Sequence, residues 1–182
     1  ADVLVYGMGE LQIAELADAF DKGQFKESLP FIRGICYMSK DIPMLEYVEC
    51  PSFESVKADK MAFADAFRIQ YDEQDPFYGQ TVVQKHGDRY LIQNTPALPL
   101  TQEQMDSVYN LPYTRKWHPK YDDKGGVPAL SEVQFSLVSH RGCFGSCSFC
   151  AITNHQGRII QNRSHESLID EAHTMINMDN FK

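Results

Sequence analysis

Three cysteines fall within eight residues of this sequence, in the run Cys143-Phe144-Gly145-Ser146-Cys147-Ser148-Phe149-Cys150. Three thiolates on one short loop can hold three irons of a cubane iron–sulfur cluster and leave the fourth iron open to another ligand. Glycines at 142 and 145 let the backbone fold closely around such a cluster, and no acidic residue occurs between Val133 and Arg163. The spacing therefore predicts an iron–sulfur site with one open coordination position.

A structural zinc site is the main alternative for this loop. Such sites use four ligands, usually in two closely spaced pairs. Here the fourth ligand would be His140, His155, Cys36 or Cys50, and none of them forms a matching pair. The loop also lacks the C-x2-C-x2-C run of ferredoxin-type carriers, and no cysteine–proline pair follows it. Cys36 and Cys50 are expected to be small buried hydrophobic residues.

Charge and hydropathy limit the classes of partner. The formal net charge of -8 belongs to residues 1–75, which hold fifteen acidic residues against seven Lys and Arg. An isoelectric point near 5.2 argues against broad binding to a nucleic-acid backbone, although the basic stretch 133–163 leaves a nucleic-acid loop open as a partner. The sequence contains no membrane-spanning apolar run, and Ala1–Val5 do not resemble a secretory signal, which predicts a cytoplasmic protein without a membrane partner.

The first 95 residues predict an α/β domain. A strand over 3–6 leads through Gly7 and Gly9 into an amphipathic helix, with Gln12 where a dinucleotide fingerprint requires its third glycine. We therefore favour a structural strand-to-helix turn over a nucleotide site. Further strands are predicted over 34–38, 44–48 and 89–93, with a long helix from Ser52 to Tyr71. The predicted buried faces are Ile13, Leu16, Ala17 and Phe20 in the first helix, and Phe53, Val56, Phe63, Ala64 and Phe67 in the long one.

A proline-rich connector over 96–130 separates this domain from a third region, 131–182. Within the connector, Thr101 and Gln104 have capping-box spacing and predict a helix that ends before Pro112. The third region predicts a strand over 132–139, the cysteine loop, and a helix from Ser164. Its apolar face comprises Leu168, Ile169, Ala172, Met175 and Ile176.

The cysteine loop, with an aromatic residue before its last cysteine, resembles the signature of radical S-adenosylmethionine (SAM) enzymes. Other stretches make the resemblance specific to the uncharacterised bacterial YgiQ family within that superfamily, and it covers essentially the whole chain. These stretches are Asp75-Pro76, Gln84-Lys85-His86-Gly87-Asp88-Arg89, Leu111-Pro112-Tyr113-Thr114-Arg115, His118-Pro119, Arg141-Gly142-Cys143-Phe144-Gly145 and His155-Gln156-Gly157-Arg158-Ile159-Ile160-Gln161.

The resemblance implies a 4Fe-4S cluster on Cys143, Cys147 and Cys150, with S-adenosylmethionine chelating the fourth iron and Phe149 near its adenine. It implies a reductant such as flavodoxin or ferredoxin, and reductive cleavage of the cofactor to a 5′-deoxyadenosyl radical that acts on an unknown substrate. The implied fold is a partial Rossmann-like or cobalamin-binding-type N-terminal domain followed by the start of a partial (β/α) barrel, namely its first strand, cluster loop and first helix.

The sequence also departs from the pattern of these enzymes. No glycine-rich strand follows the helix from Ser164, and no Asp-x-His-x-x-Gly of a cobalamin site occurs. We therefore expect a fragment of a longer enzyme that lacks turnover by itself. A binding module with a structural or electron-transfer metal site is the alternative. His118 and His155 are expected to have solvated or hydrogen-bonded structural roles, with contact to substrate or cluster as the alternative. Arg158 and Arg163 either pair with the cofactor carboxylate or neutralise the cluster region.

Overall fold

The computed structural model describes residues 1–181. Its strands are β1 (Val3–Val5), β2 (Ile35–Ser39), β3 (Tyr47–Cys50), β4 (Thr81–His86), β5 (Arg89–Gln93), β6 (His140–Arg141) and β7 (Gln161–Asn162). Its α-helices are α1 (Glu10–Asp21), α2 (Phe25–Ser28), α3 (Phe53–Ala58), α4 (Lys60–Asp72), α5 (Gln102–Tyr109), α6 (Leu130–Val133), α7 (Ile152–Gln156) and α8 (His165–Ile176). Short 3-10 helices lie at Leu29–Phe31 and Pro119–Lys124.

The chain divides into two compact units. The first unit comprises Ala1–Pro99 together with Gly142–Ile159, and the second comprises Leu100–Arg141 together with the chain from Ile160 onward. The cysteine loop therefore belongs to the same unit as the N-terminal sheet. The domain boundaries near 95 and 131 that the sequence suggests stay predictions. In the described part of the chain, none of the helices is long and apolar enough to cross a membrane.

The first unit is built on a five-stranded mixed sheet in the order β1-β2-β5-β4-β3, in which only β3 and β4 run parallel. Tyr37, Ile92 and Val83 lie opposite one another on β2, β5 and β4 and form part of one buried cluster. Val82 and Cys50 form another cluster, with Ala66. Helices pack against both clusters, so the predicted α/β class is confirmed, whereas the Rossmann-like and barrel details stay predictions.

The long helix predicted from Ser52 to Tyr71 is two helices. Ser52 caps α3 by accepting a hydrogen bond from the Ser55 amide, and Asp59 ends that helix in an extended conformation. The Asp59 carboxylate then caps α4 by accepting from the Met61 amide at 3.0 Å. The break occurs because a side chain that can cap a new helix competes with continuation of the old one.

The predicted buried faces of the helices are largely wrong. On α3 and α4 the residues facing the sheet are Val56, Ala66 and Ile69. These aliphatic side chains pack against the sheet cluster, whereas the aromatic residues of the same helices are exposed. Residues predicted as core but exposed are Ile13, Ala17, Phe20, Phe53, Phe63, Ala64, Phe67, Ile169 and Ile176. Of the residues predicted as core, Met175 is buried and Leu16 and Val56 are partly buried, whereas Gln12 and Ala19 are buried outside the predicted faces.

The strand predicted over 132–139 is also wrong. Residues 130–133 form α6, and residues 134–139 carry no strand. The Gln134 amide donates to the Leu130 carbonyl at 2.9 Å, so local hydrogen bonds satisfy this backbone. Val133 and Leu137 are exposed, because no neighbouring strand covers their face. The strand that leads into the cysteine loop is β6, which pairs antiparallel with β7.

The second unit contains a group of charged side chains with little exposure to solvent. Arg163 is 3% exposed, donates to the Ser167 side chain and carbonyl, and forms an ion pair with Glu171. Glu171 also pairs with Arg115, whose guanidinium donates to the Gln134 carbonyl at 3.1 Å. Tyr109 lies beneath Arg163, whose guanidinium carbon is 4.2 Å from the ring centroid. Because each of these shielded charges has a partner of opposite charge, removal of one residue leaves the other without its counter-charge.

We predict that Arg163→Met destabilises α8 by about 3 kcal/mol, because Glu171 loses one of its two cations and Ser167 loses its partner. Native-state hydrogen exchange of the α8 amides measures this local stability directly. The matched control is Arg89→Met, since Arg89 is exposed on β5 and its replacement is expected to change stability by less than about 0.5 kcal/mol. Equal effects of the two substitutions would contradict the structural role of Arg163.

Candidate metal-binding loop

The two ends of the cysteine loop meet closely. Gly142 has φ +88°, and a Cβ there would lie 2.2 Å from the Ile159 carbonyl oxygen, so only glycine fits. The Gly142 amide donates to Gln156 Oε1 at 3.1 Å, and the Cys143 amide donates to the Gly157 carbonyl at 3.0 Å. The base of the loop is therefore closed by backbone contact, with the short helix α7 on its returning side.

Gly145 lies between the first two cysteines. A Cβ at this residue would lie 3.4 Å from Cys143 Sγ and 3.7 Å from Cys147 Sγ. The Gly145 amide donates to Cys143 Sγ at 3.4 Å, and Cys147 Sγ donates to the Gly145 carbonyl at 3.8 Å. The Gly145 backbone thus contacts both sulfur atoms, through its amide and its carbonyl.

The third cysteine follows in a turn. The Cys150 amide donates to the Cys147 carbonyl at 3.0 Å, and Ser146 takes the left-handed conformation at φ 48°. All three thiols are free, Cys147 being exposed and the other two half-buried. Within residues 1–181, no three His, Cys, Asp or Glu side chains are gathered closely enough to hold a metal ion. The assignment of the three cysteines as ligands stays a prediction.

The donor set of this loop fits an iron–sulfur cluster. Soft thiolates suit iron–sulfur clusters, whereas hard cations such as Mg²⁺ prefer oxygen ligands. Residues 142–159 contain three cysteines and no Asp or Glu. The amide that donates to Cys143 Sγ is the kind of hydrogen bond that tunes cluster sulfurs. Cys143, Cys147 and Cys150 are thus the residues that would hold such a cluster.

Aromatic side chains on the loop are open to solvent. Phe149, predicted near the adenine of a cofactor, is 90% exposed, and Phe144 is 81% exposed. The Phe149 ring therefore presents both faces for contact with a planar ligand. Its proposed contact with adenine stays a prediction.

The basic residues singled out from the sequence have specific places. His118 Nδ1 accepts from the Lys120 amide at 3.1 Å and caps a 3-10 helix. His155 lies in the last turn of α7. Arg158 stacks over Tyr71, and Arg163 forms an ion pair with Glu171 in the second unit. Sequence reasoning missed Glu171, because a single glutamate on an amphipathic helix carries no signal of its buried partners.

The five cysteines are predicted to differ in reactivity. Burial raises the pKa of the Cys36 thiol to about 11 and also raises the pKa of Cys50. At pH 8 the reactive thiolate fraction of Cys36 is then about 100-fold below that of an ordinary thiol, whereas Cys147 is exposed. Peptide mapping after a short iodoacetamide pulse on the reduced, metal-free protein is expected to show Cys147 labelled first. Equal labelling of Cys36 in the folded protein would contradict this; unfolding in urea supplies the control.

Comparison with known proteins identifies the family. Residues 1–136 match the family described as radical SAM N-terminal, and the match ends before Cys143. UPF0313 proteins from Clostridium botulinum strain 657 and strain ATCC 19397 are 53% and 54% identical to the chain over its whole length. One from Clostridium perfringens strain 13 is 48% identical. The chain spans 28% to 29% of the length of these relatives. No solved structure matches it. Three quarters of the chain thus match one family, and the chain belongs to the radical SAM N-terminal family.

Proposed function

We propose that this chain carries the cluster site of a YgiQ-type radical SAM enzyme, with a 4Fe-4S cluster held by Cys143, Cys147 and Cys150. The observation that carries the proposal is the cysteine loop itself, closed at its base by Gly142 and with the Gly145 backbone hydrogen-bonded to two of its sulfurs. Membership of the radical SAM N-terminal family supports it, because that family implies an iron–sulfur cluster and S-adenosylmethionine in general terms.

A cluster held by Cys143, Cys147 and Cys150 would supply one-electron reductive cleavage of S-adenosylmethionine to methionine and a 5′-deoxyadenosyl radical, for hydrogen abstraction from a substrate. A reductant such as flavodoxin or ferredoxin would provide the electron. The residues of the chain itself position the loop and are available to contact the cofactor. Gln156 and Gly157 hold the loop base, and exposed Phe149 is available to pack against the adenine.

The proposal includes a cytoplasmic location. Its support is the state of the cysteines, all five of which are free in the structure. Thiols that serve as cluster ligands must stay reduced, and the cytoplasm maintains that state.

The proposed reaction is tested on a full-length Clostridium botulinum relative, prepared anaerobically and reduced with dithionite in the presence of S-adenosylmethionine. Formation of 5′-deoxyadenosine and methionine, detected by liquid chromatography, is the expected result. A relative loaded with about four irons that forms no 5′-deoxyadenosine would instead favour a structural or electron-transfer cluster. Stoichiometric zinc after preparation with iron available would favour a zinc-stabilised binding module.

We predict that Cys147→Ala abolishes cluster assembly in this chain, because a cubane cluster cannot be held by two thiolates of the loop. Cys147 is exposed, so the first unit is expected to remain folded. The matched control is Cys36→Ala, which also removes one thiol but lies on β2 outside the loop. Iron and sulfide analysis after anaerobic reconstitution checks both variants. Full iron and sulfide in Cys147→Ala would show that the ligand assignment is wrong.

A further inference from the structure

The cysteine loop is attached to the end of α4. Gln74 Nε2, just beyond that helix, donates to Asn154 Oδ1 on α7 at 2.9 Å. The Arg158 guanidinium carbon lies 4.4 Å from the centroid of the Tyr71 ring, in the last turn of α4. Asn154 and Arg158 flank the residues that receive the loop's first amides. One contact from the last turn of α4 and one from just beyond it therefore hold the returning side of the loop.

The turn that carries Gln74 is itself rigid. The Asp75 carboxylate accepts from the amides two and three residues further on, at 2.8 and 2.9 Å. The Glu73 carboxylate accepts from the Gln80 amide at 2.6 Å. A Cβ on Gly79 would lie 2.5 Å from two backbone carbonyl oxygens of the turn, so glycine is required for this tight path. Gln74 is consequently presented from a fixed backbone.

Arg33 links this turn to the rest of the first unit. Its guanidinium donates to the Pro76 carbonyl within the turn, and its Nε donates to the Pro96 carbonyl at 2.8 Å. Arg33 is half-buried just before β2. The donors of a guanidinium group have a fixed planar geometry, so Arg33 holds the Pro76 and Pro96 carbonyls in fixed positions relative to each other. The position of Gln74 thus depends on the sheet of the unit rather than on a free loop.

The aromatic contact is supported from the other side. Phe67, one turn earlier on α4, stacks on Tyr71 with ring centroids 6.2 Å apart. This neighbour limits the orientations of the Tyr71 ring. Arg158 lies directly after Gly157, whose carbonyl receives the Cys143 amide. Stacking of a guanidinium on an aromatic ring therefore fixes the residue next to the loop's closing hydrogen bond.

We propose that Tyr71 and Gln74 are positioning residues for the cysteine loop: through Arg158 and Asn154 they hold its returning side, and so keep Cys143 in place relative to the other two thiols. The N-terminal region thereby contributes to the cluster site without supplying a ligand. This inference rests on the proposed function of the loop as the cluster carrier.

The first test uses the metal-free protein, so it does not depend on cluster loading. In Tyr71→Leu/Gln74→Ala, the Gly142 and Cys143 amides are expected to exchange with deuterium about tenfold faster than in the wild type, and about threefold faster in each single variant. The matched controls are Phe63→Leu and Gln70→Ala, exposed residues of the same helix, with unchanged exchange. Unaltered exchange of both amides in the double variant would overturn the proposal.

The second test separates positioning from general stability. After reconstitution, Tyr71→Leu is expected to shift and broaden the electron paramagnetic resonance signal of the reduced cluster, and Tyr71→Phe to restore it, since phenylalanine keeps the ring. A loaded wild type whose signal the leucine variant leaves unchanged would overturn the positioning role alone. A wild type that takes up no iron would overturn the proposed function. The exchange data would then show only that Tyr71 and Gln74 hold a loop that binds no cluster.

Discussion

Closure of the cysteine loop is the constraint on which the candidate site depends. The backbone of Gly142 approaches the Ile159 carbonyl so closely that no side chain fits between them, and the Cys143 amide hydrogen-bonds across the same gap. A loop closed in this way loses much of its freedom before any metal binds, which lowers the entropic cost of gathering ligands. Gly145 adds a second contact, because its amide and carbonyl hydrogen-bond to two of the three sulfur atoms.

The two units are stabilised by different interactions. In the first, apolar residues such as Ile35 and Ile92 are completely buried in the sheet, and burial of apolar area is the main stabilising contribution. In the second, the buried residues include Arg163 and Ser167, and the ion group around Glu171 connects α8 to Arg115. Buried ions are sensitive to the loss of any partner. The first unit is therefore expected to tolerate change around its exposed charges, whereas the second depends on particular charged residues.

Local signals in the sequence predicted local structure well. The capping box of Thr101 and Gln104 is present, and Ser164 caps α8 by accepting from the Ser167 amide. Strand β4 is absent from the predicted strands, because only Val82 and Val83 among its residues are apolar and no alternating pattern marks it. The predicted buried faces of the helices are wrong for a physical reason. Ala66 and Ile69, rather than Phe63 and Phe67, face the sheet. Hydropathy alone cannot distinguish a close-packed aliphatic residue from an exposed aromatic one. The contact of Gln74 with Asn154 joins residues 80 positions apart and has no sequence signal.

The central claim is that the three cysteines leave one iron of a cluster open to S-adenosylmethionine. Electron paramagnetic resonance of the anaerobically reconstituted and reduced protein, recorded with and without S-adenosylmethionine, tests it most directly. We expect a reduced-cluster signal whose g values change when the cofactor is added, because a ligand to the open iron alters the electronic structure of the cluster. A reduced-cluster signal that is identical with and without S-adenosylmethionine would contradict an open iron.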